Sequence, residues 1–406
     1  MSDTATVERT ATPASPGPAA GPGRSLLKPV LLVVAVVLLL IAPIYVEEFW
    51  LRTGFAVFGA AIGAIGLNLL VGTTGQLSLA HAFFLAVGAV TYTYVSGAPG
   101  GVATPFGGLE LPPLIGMIAG VLLAGLAGLA FSPVAGRLRG IYLGVASLGL
   151  VFIGLHLINT WETVTGGFNG RLSPEFSLFG FEFSNDASYL AIAGVPFREA
   201  ERLWYLGLVL LLLSYWFARN LLRSRPGRAL QTLRDSETAA AVMGVNVQGY
   251  KARVFAVSSM YAGLAGVLLA LSIGSIAPES FGLLVSINYL AMVVLGGLGS
   301  VGGSVLGALF VSATPLVFQR YADILPLVSA SRNDPGIAPG EAARFLFGIA
   351  IIVIILYEPG GLAGLARRFR RPGRPGGGRT ASRSSAATSS STGTVPSDPP
   401  AQGSTT

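Results

Sequence analysis

Thr53-Gly-Phe-Ala-Val-Phe-Gly-Ala-Ala-Ile-Gly-Ala-Ile-Gly-Leu-Asn-Leu-Leu-Val71 carries no charge and stops at Gly72-Thr-Thr-Gly-Gln76. A helix needs about 20 such residues to cross a hydrocarbon core of about 30 Å, where its backbone groups must pair among themselves. Comparable apolar runs lie at 29–46 before it and at 77–96, 112–134, 140–159, 203–222, 253–273, 283–299, 303–317 and 342–357 after it. The sequence therefore predicts an all-α integral membrane protein, a polytopic bundle of about 8–10 transmembrane helices.

Composition agrees. Apolar and aromatic residues make up 52% of the 406 and charged residues 11%, against about a quarter charged in a soluble domain. The 55 glycines fall mostly inside the apolar runs, where they permit close helix contact or local unwinding. There is no cysteine, which excludes disulfides, thiol catalysis and thiolate metal sites.

Three regions follow from these patterns: a disordered tail over 1–28, a transmembrane domain over 29–366, and a second disordered tail over 367–406, both tails too polar and Pro/Gly/Ser-rich to bury a core. The first apolar run follows Arg24 and Lys28 as a secretory signal would, but Tyr45 and Glu47-Glu48 succeed it instead of a small-residue cleavage site. It is read as a retained helix. With ten crossings both termini share a side, and most of the 26 lysines and arginines fall there, among them Arg137, Arg219, Arg228, Arg234 and Lys251. The positive-inside rule makes that side cytoplasmic and the chain an inner-membrane protein. Glu162, Glu175, Glu182, Asp186, Glu199 and Glu201 gather in the opposite, external loop over 160–202, which is too short for a solute-binding domain of its own.

Sites for covalent chemistry are not expected. Lys28 and Lys251 follow Leu27 and Tyr250, so no phosphate-cradling glycine-lysine loop exists. Gly297-Leu-Gly-Ser-Val-Gly302 has the spacing of a dinucleotide fingerprint without the strand that gives it meaning. His81 and His156 have no partner at ligand spacing, and the predicted spans hold no Asp or Glu. Neither catalytic residues, a metal, a cofactor nor nucleic acid is implied, and proton-coupled secondary transport is disfavoured.

Two segments do carry a reading. Gly72 to Gln76 interrupts an apolar region with turn-formers and polar groups, and non-helical backbone at membrane depth is tolerated only where it is buried in protein or lines a wet cavity. Asn68, Gly72, Gly75, Gln76, Ser78 and His81 are thus candidates for a substrate pathway. The alternative is a plain turn between two spans. In the cytoplasmic loop 223–252, Asp235 or Ser236 can cap a short helix with Glu237 in its first turn, and Gly244 can end it in the left-handed conformation. Such a compact helix, with Ala239 and Ala240 on it and Arg228 before it, suits docking into a groove on a partner. A charged hairpin that merely obeys topology is the other reading. Gly296, Gly297 and Gly299 suggest either tight packing of two helices or a hinge, and Thr165-Gly-Gly-Phe-Asn-Gly170 either a turn or a contact for an external partner.

Glu237-Thr-Ala-Ala-Ala-Val-Met-Gly244 resembles the E-A-A…G loop with which permeases of ABC importers dock on their ATPases. Gly66 to His81, Leu138-Arg-Gly-Ile-Tyr-Leu, Thr165 to Gly170, Met292 to Ser300 and Leu356-Tyr-Glu-Pro-Gly-Gly-Leu362 together resemble, in order, the signatures of LivM-type branched-chain amino acid permeases, with Ala80 where glycine is usual. The resemblance implies a lipid-embedded subunit that transports a branched-chain amino acid or related small solute. It would work with a LivH-like second permease, two cytoplasmic ATPases and an external solute-binding protein. Urea permeases share these signatures, so urea or a short amide is the alternative solute.

Overall fold

A computed structural model describes residues 27–100, 107–138, 140–178, 180–183, 191–192, 195–322, 324, 336–358 and 360–369. Its helices are α1 (Leu27–Tyr45), α2 (Glu48–Thr74), α3 (His81–Ser96), α4 (Pro113–Arg137), α5 (Ile141–Thr160), α6 (Glu162–Thr165), α7 (Glu199–Arg223), α8 (Arg225–Asp235), α9 (Glu237–Val242), α10 (Val247–Ile273), α11 (Leu283–Gly296), α12 (Val301–Arg320), α13 (Pro339–Tyr357) and α14 (Gly361–Phe369). Every predicted span coincides with a helix. Among the described residues α2, α4, α5, α7, α10, α12 and the stretch Pro278–Gly296 are long and apolar enough to cross a membrane. Several boundaries shift, among them the end of the predicted span 283–299, which is helical only to Gly296. The predicted span 77–96 is helical only from His81, and the predicted disordered tail begins as helix, because α14 continues through Arg367 to Phe369. Residues 1–26 and 370–406, with Arg139 and Asp186, lie outside the described residues.

Ion pairs define one face of the bundle. Arg52 bonds Glu48 at 2.8 Å and Glu199 at 3.4 Å, and Arg320 lies 3.8 Å from Glu47, which brings the start of α2, the start of α7 and the end of α12 to one level. The two-residue ladder of Arg171–Leu172 with Ser275–Ile276 closes the same side, next to the end of α10. The α8–α9 hairpin lies on the opposite face, at the end of α2.

Two long helices form the centre. α2 and α10 each span 27 residues in opposite directions, and each ends on a left-handed glycine, Gly75 (φ 68°) and Gly274 (φ 78°). A stretch without α-helix follows in both cases, holding a 3-10 turn at Pro278–Phe281 after α10, then a shorter helix, α3 or α11, and then α4 or α12. The two halves thus repeat with inverted direction, an arrangement recurrent in transporters. Small residues permit the central contact. On α2, Gly59 faces Leu268, Gly63 faces Ala265 and Gly66 faces Tyr261, while Gly266 of α10 lies against the Leu85 carbonyl of α3. With lipid as solvent, such close backbone approach replaces hydrophobic driving force as the source of helix association.

The outer helices use polar contacts sparingly. Pro43 in α1 has no N–H for the carbonyl four residues earlier, and that carbonyl, on Leu39, accepts from the Trp204 indole of α7 at 2.9 Å; Tyr205 donates to the neighbouring Leu40 carbonyl at 2.8 Å. The proline is therefore part of the α1–α7 contact.

A side chain at Gly266 would overlap the Leu85 carbonyl, whereas Gly149 has open space around it. Gly266→Leu is expected to cost about 1–3 kcal/mol or more, read as a lowered thermal midpoint in detergent, while Gly149→Leu leaves the midpoint unchanged. Equal midpoints would contradict the packing.

Candidate functional site

After Gly75 the chain turns back into the bundle in extended form. Exposure alternates as a strand requires: Gln76, Ser78 and Ala80 are buried, Gly75 and Leu77 exposed. The depth of its end follows from Tyr289 of α11, whose ring packs 4.6 Å from that of His81 and fills the space beside Gly63. Gly63 precedes the end of α2 by eleven residues, about 16 Å along the helix. α3 consequently starts near mid-depth. The first turns of α3 and α11 meet there, the Ala82 N–H donating to Ser286 Oγ at 3.0 Å.

Side chains supply what the lost helical ladder would have paired. The Leu79 N–H donates to Ser147 Oγ (2.8 Å), and that hydroxyl donates to the Gly144 carbonyl of α5 (2.8 Å). Gln76 N–H donates to Thr74 Oγ1 (3.4 Å), Ala80 N–H to Ser78 Oγ (3.4 Å), and Gln76 Nε2 to the Ala135 carbonyl of α4 (3.3 Å). The His81 ring lies against that of Tyr289, beside Gly63. Two buried atoms at this break have no hydrogen-bond partner among the described residues: Gln76 Oε1 and His81 Nε2.

Asn68 has a different role. Its Nδ2 donates to Ser304 Oγ at 2.6 Å and the Ser300 carbonyl at 3.0 Å, with the Gly297 carbonyl at 3.5 Å, while its Oδ1 accepts from the Gly299 N–H at 2.8 Å. The amide is fully used in stapling α2 to the α11–α12 turn. Gly297 (φ 109°) and Gly299 (φ 79°) give that turn its left-handed corners, Gly296 packs on the Gly303 backbone, and a side chain at Gly72 would collide with Asn68 and Gly299. Gly296 and Gly297 are closely packed against neighbouring backbone, whereas Gly299 has only ordinary contacts and is required by its left-handed conformation.

The hairpin grips the same end of α2. Arg234 on α8 donates to the Gly72 carbonyl at 2.6 Å, one of the carbonyls a helix end leaves unpaired and where its dipole favours a cation. α9 follows, capped by Ser236, whose side chain accepts from the Ala239 N–H at 3.2 Å, and ended by Gly244 at φ 80°; Asn246 caps α10 through the Gly249 N–H at 2.9 Å. Asp235 therefore closes α8 and does not cap α9. Buried Lys251 of α10 bonds Glu237 at 2.6 Å. α8 is thus tied to α2, and α9 to α10. Arg228 is exposed and reaches the Arg223 carbonyl at 3.5 Å.

One expectation is corrected here. Ala240 is not on a docking face: it is fully buried beneath α9, because helical spacing turns it inward. Ala239 is exposed, and the groups α9 presents outward are Val242 (85% exposed) and Met243 (64%). The partners that complete the break, Ser147, Ser286, Tyr289 and Ser304, escape the sequence reading because a lone hydroxyl in an apolar helix looks the same whether or not a distant segment uses it.

Asn68→Leu should leave the Gly299 N–H and its neighbours unpaired at about 1–3 kcal/mol for each buried group, and Ala240→Trp should overpack the hairpin. Thermal unfolding in detergent is expected to show a lowered midpoint for both. An unchanged midpoint for Asn68→Leu would deny the staple.

Residues 50–355 match the family described as branched-chain amino acid transport system / permease component. The high-affinity branched-chain amino acid transport system permease protein LivM of Escherichia coli is 31% identical over 75% of this chain and 67% of its own length. LivH of Salmonella typhimurium is 25% identical over 64% and 82%, and the fructose import permease FrcC of Rhizobium meliloti 26% over 61% and 63%. No solved structure matches significantly. With a broken central helix, a self-capped hairpin and a match across three quarters of its length, the chain is a multi-pass membrane protein that belongs to the branched-chain amino acid transport system permease component family.

Proposed function

We propose that this chain is one permease subunit of an importer that takes branched-chain amino acids across the cell's inner membrane, driven by ATP hydrolysis on separate subunits. The observation that carries the reading is the α8–α9 hairpin, tied to both central helices by Arg234–Gly72 and Lys251–Glu237 while Val242 and Met243 face outward. A partner that moves α9 pulls on the end of α2 and the start of α10 together. The end of α2 leads directly into the broken segment at mid-depth, so displacement of the hairpin is a displacement of Gly75 to His81. Gln76, Ser78 and His81 are the pathway groups in this reading, with Asn68, Gly72 and Gly75 as their support, and Gly296, Gly297 and Gly299 as the joint against which α2 moves.

The remaining parts follow. One hairpin per chain calls for a second permease, LivH-like by the relatives' names, so that two ATPases each find a docking helix. The path in this reading lies between the two permeases. An external binding protein delivers the solute on the face that carries the 160–202 loop, and the basic hairpin face is cytoplasmic, with both termini inside. The amino acid assignment stands on the LivM and LivH names, since a fructose permease is also a relative.

Four measurements test this. Val242→Glu with Met243→Glu should abolish ATPase co-purification and lower uptake at least about tenfold without loss of inserted protein. Lys251→Met, which leaves Glu237 beside an apolar group, should retain ATPase binding yet uncouple hydrolysis from transport. Retained uptake in both variants would remove the hairpin from the mechanism. In this cysteine-free chain, cysteine at position 228 should label only from the cytoplasm and at position 175 only from outside; the reverse pattern inverts the topology. Labelled leucine, isoleucine or valine should enter in competition with one another, and uptake competed by urea instead would reassign the solute.

A further inference from the structure

The outer face of α7 carries an apolar stripe, Val209, Leu212, Leu213 and Trp216, all at least 37% exposed and all a helical turn or so apart. In a membrane protein such a stripe meets acyl chains. It does not end in open water. Arg219 and Arg223 continue the same side of the helix as Leu212 and Trp216, three and seven residues on from the latter, and Arg225 opens α8 immediately beyond. All three guanidinium groups are exposed and none makes a hydrogen bond or ion pair through its side chain with a described residue. Trp216, at 64% exposure, marks the level where the stripe passes from acyl chain to headgroup.

Topology alone asks only for positive charge somewhere on this side. It does not ask for arginines in register with a lipid-facing stripe, at headgroup level, with unused planar donors that match phosphate oxygens two at a time. We infer that Arg219, Arg223 and Arg225 form a binding site for the phosphate headgroup of an anionic phospholipid in the leaflet on the hairpin face. Because α8 starts at Arg225 and leads through Arg234 to Gly72, a headgroup held here sets the position of the α7–α8 joint. The site depends on membrane embedding and not on which solute is carried.

The test uses the full chain in lipid nanodiscs. Trp216 fluorescence, isolated as the difference between the chain and its Trp216→Phe variant, is quenched by dibrominated phosphatidylglycerol or, separately, by dibrominated phosphatidylcholine at the same mole fraction. Phosphatidylglycerol is expected to quench about twofold more strongly, and high salt should remove the difference. Arg219→Gln with Arg223→Gln and Arg225→Gln should abolish it while the far-ultraviolet spectrum and elution volume stay unchanged. Inorganic phosphate in excess should not compete, because it lacks the anchoring chains; full competition would assign the site to a soluble anion and overturn the proposal. Equal quenching by the two lipids in the unmodified chain would also overturn it, independently of any variant's folding. Loss of ATPase co-purification in the triple variant with lipid preference intact would give the arginines to a protein partner instead.

Discussion

Backbone inside a bilayer has nowhere to hide an unpaired N–H, and this constraint governs the centre of the molecule. α2 stops at Thr74, and α3 begins about half a membrane away, at the depth of Gly63. The intervening chain survives because hydroxyls from Thr74, Ser78, Ser147 and Ser286 take its N–H groups or those of the turn it enters. Thr74, Ser147 and Ser286 tie it to α2, α5 and α11, and the Gln76 side chain adds a bond to the Ala135 carbonyl of α4. The result is backbone whose conformation depends on where α4, α5 and α11 stand, which an uninterrupted helix would not be.

The same economy explains the hairpin end. An α-helix leaves carbonyls unpaired at its C-terminus, and α2 gives one of them to Arg234. Asn68, one turn earlier, uses both ends of its amide on the α11–α12 turn. Buried Lys251 requires an anion, and Glu237 meets it at 2.6 Å; removing one partner of such a pair typically costs about 3–5 kcal/mol. Polar bonds thus gather where α2, α10 and the hairpin join, while the central α2–α10 contact relies on small residues. Rigid attachment at the hairpin with a bonded but non-helical segment behind it is the arrangement expected of an element that transmits displacement.

Inverted repetition places the two half-length helices opposite one another. α2 and α10 pack antiparallel through small residues, and the chain leaves each at opposite faces, so α3 and α11 enter from opposite sides and meet at Ala82–Ser286 and His81–Tyr289. Two short helices that start at mid-depth aim their N-terminal amides at the same zone, where Gln76 Oε1 and His81 Nε2 remain without protein partners among the described residues.

Residue type and spacing determined the helical class, the position of each span, the capped hairpin and its terminating Gly244, because lipid demands long apolar runs and helix ends demand particular caps, both local properties. They also signalled a break, since turn-formers cannot be concealed in an apolar run, but it runs from Gly75 to Ala80 and leaves Gly72 to Thr74 helical. What the sequence left open was where that break sits, and only the tertiary structure settled it. Depth is set by which side chain fills which neighbour's groove, as Tyr289 does beside Gly63. Likewise Asn68 looked like its fellow polar residues until Ser304 and Gly299, more than two hundred residues away, were seen to use its amide fully. Ala240 turned inward while Val242 and Met243 turned out, a matter of helix phase relative to the bundle. No local pattern encodes such phase, because it is fixed by contacts between segments that the chain brings together only on folding.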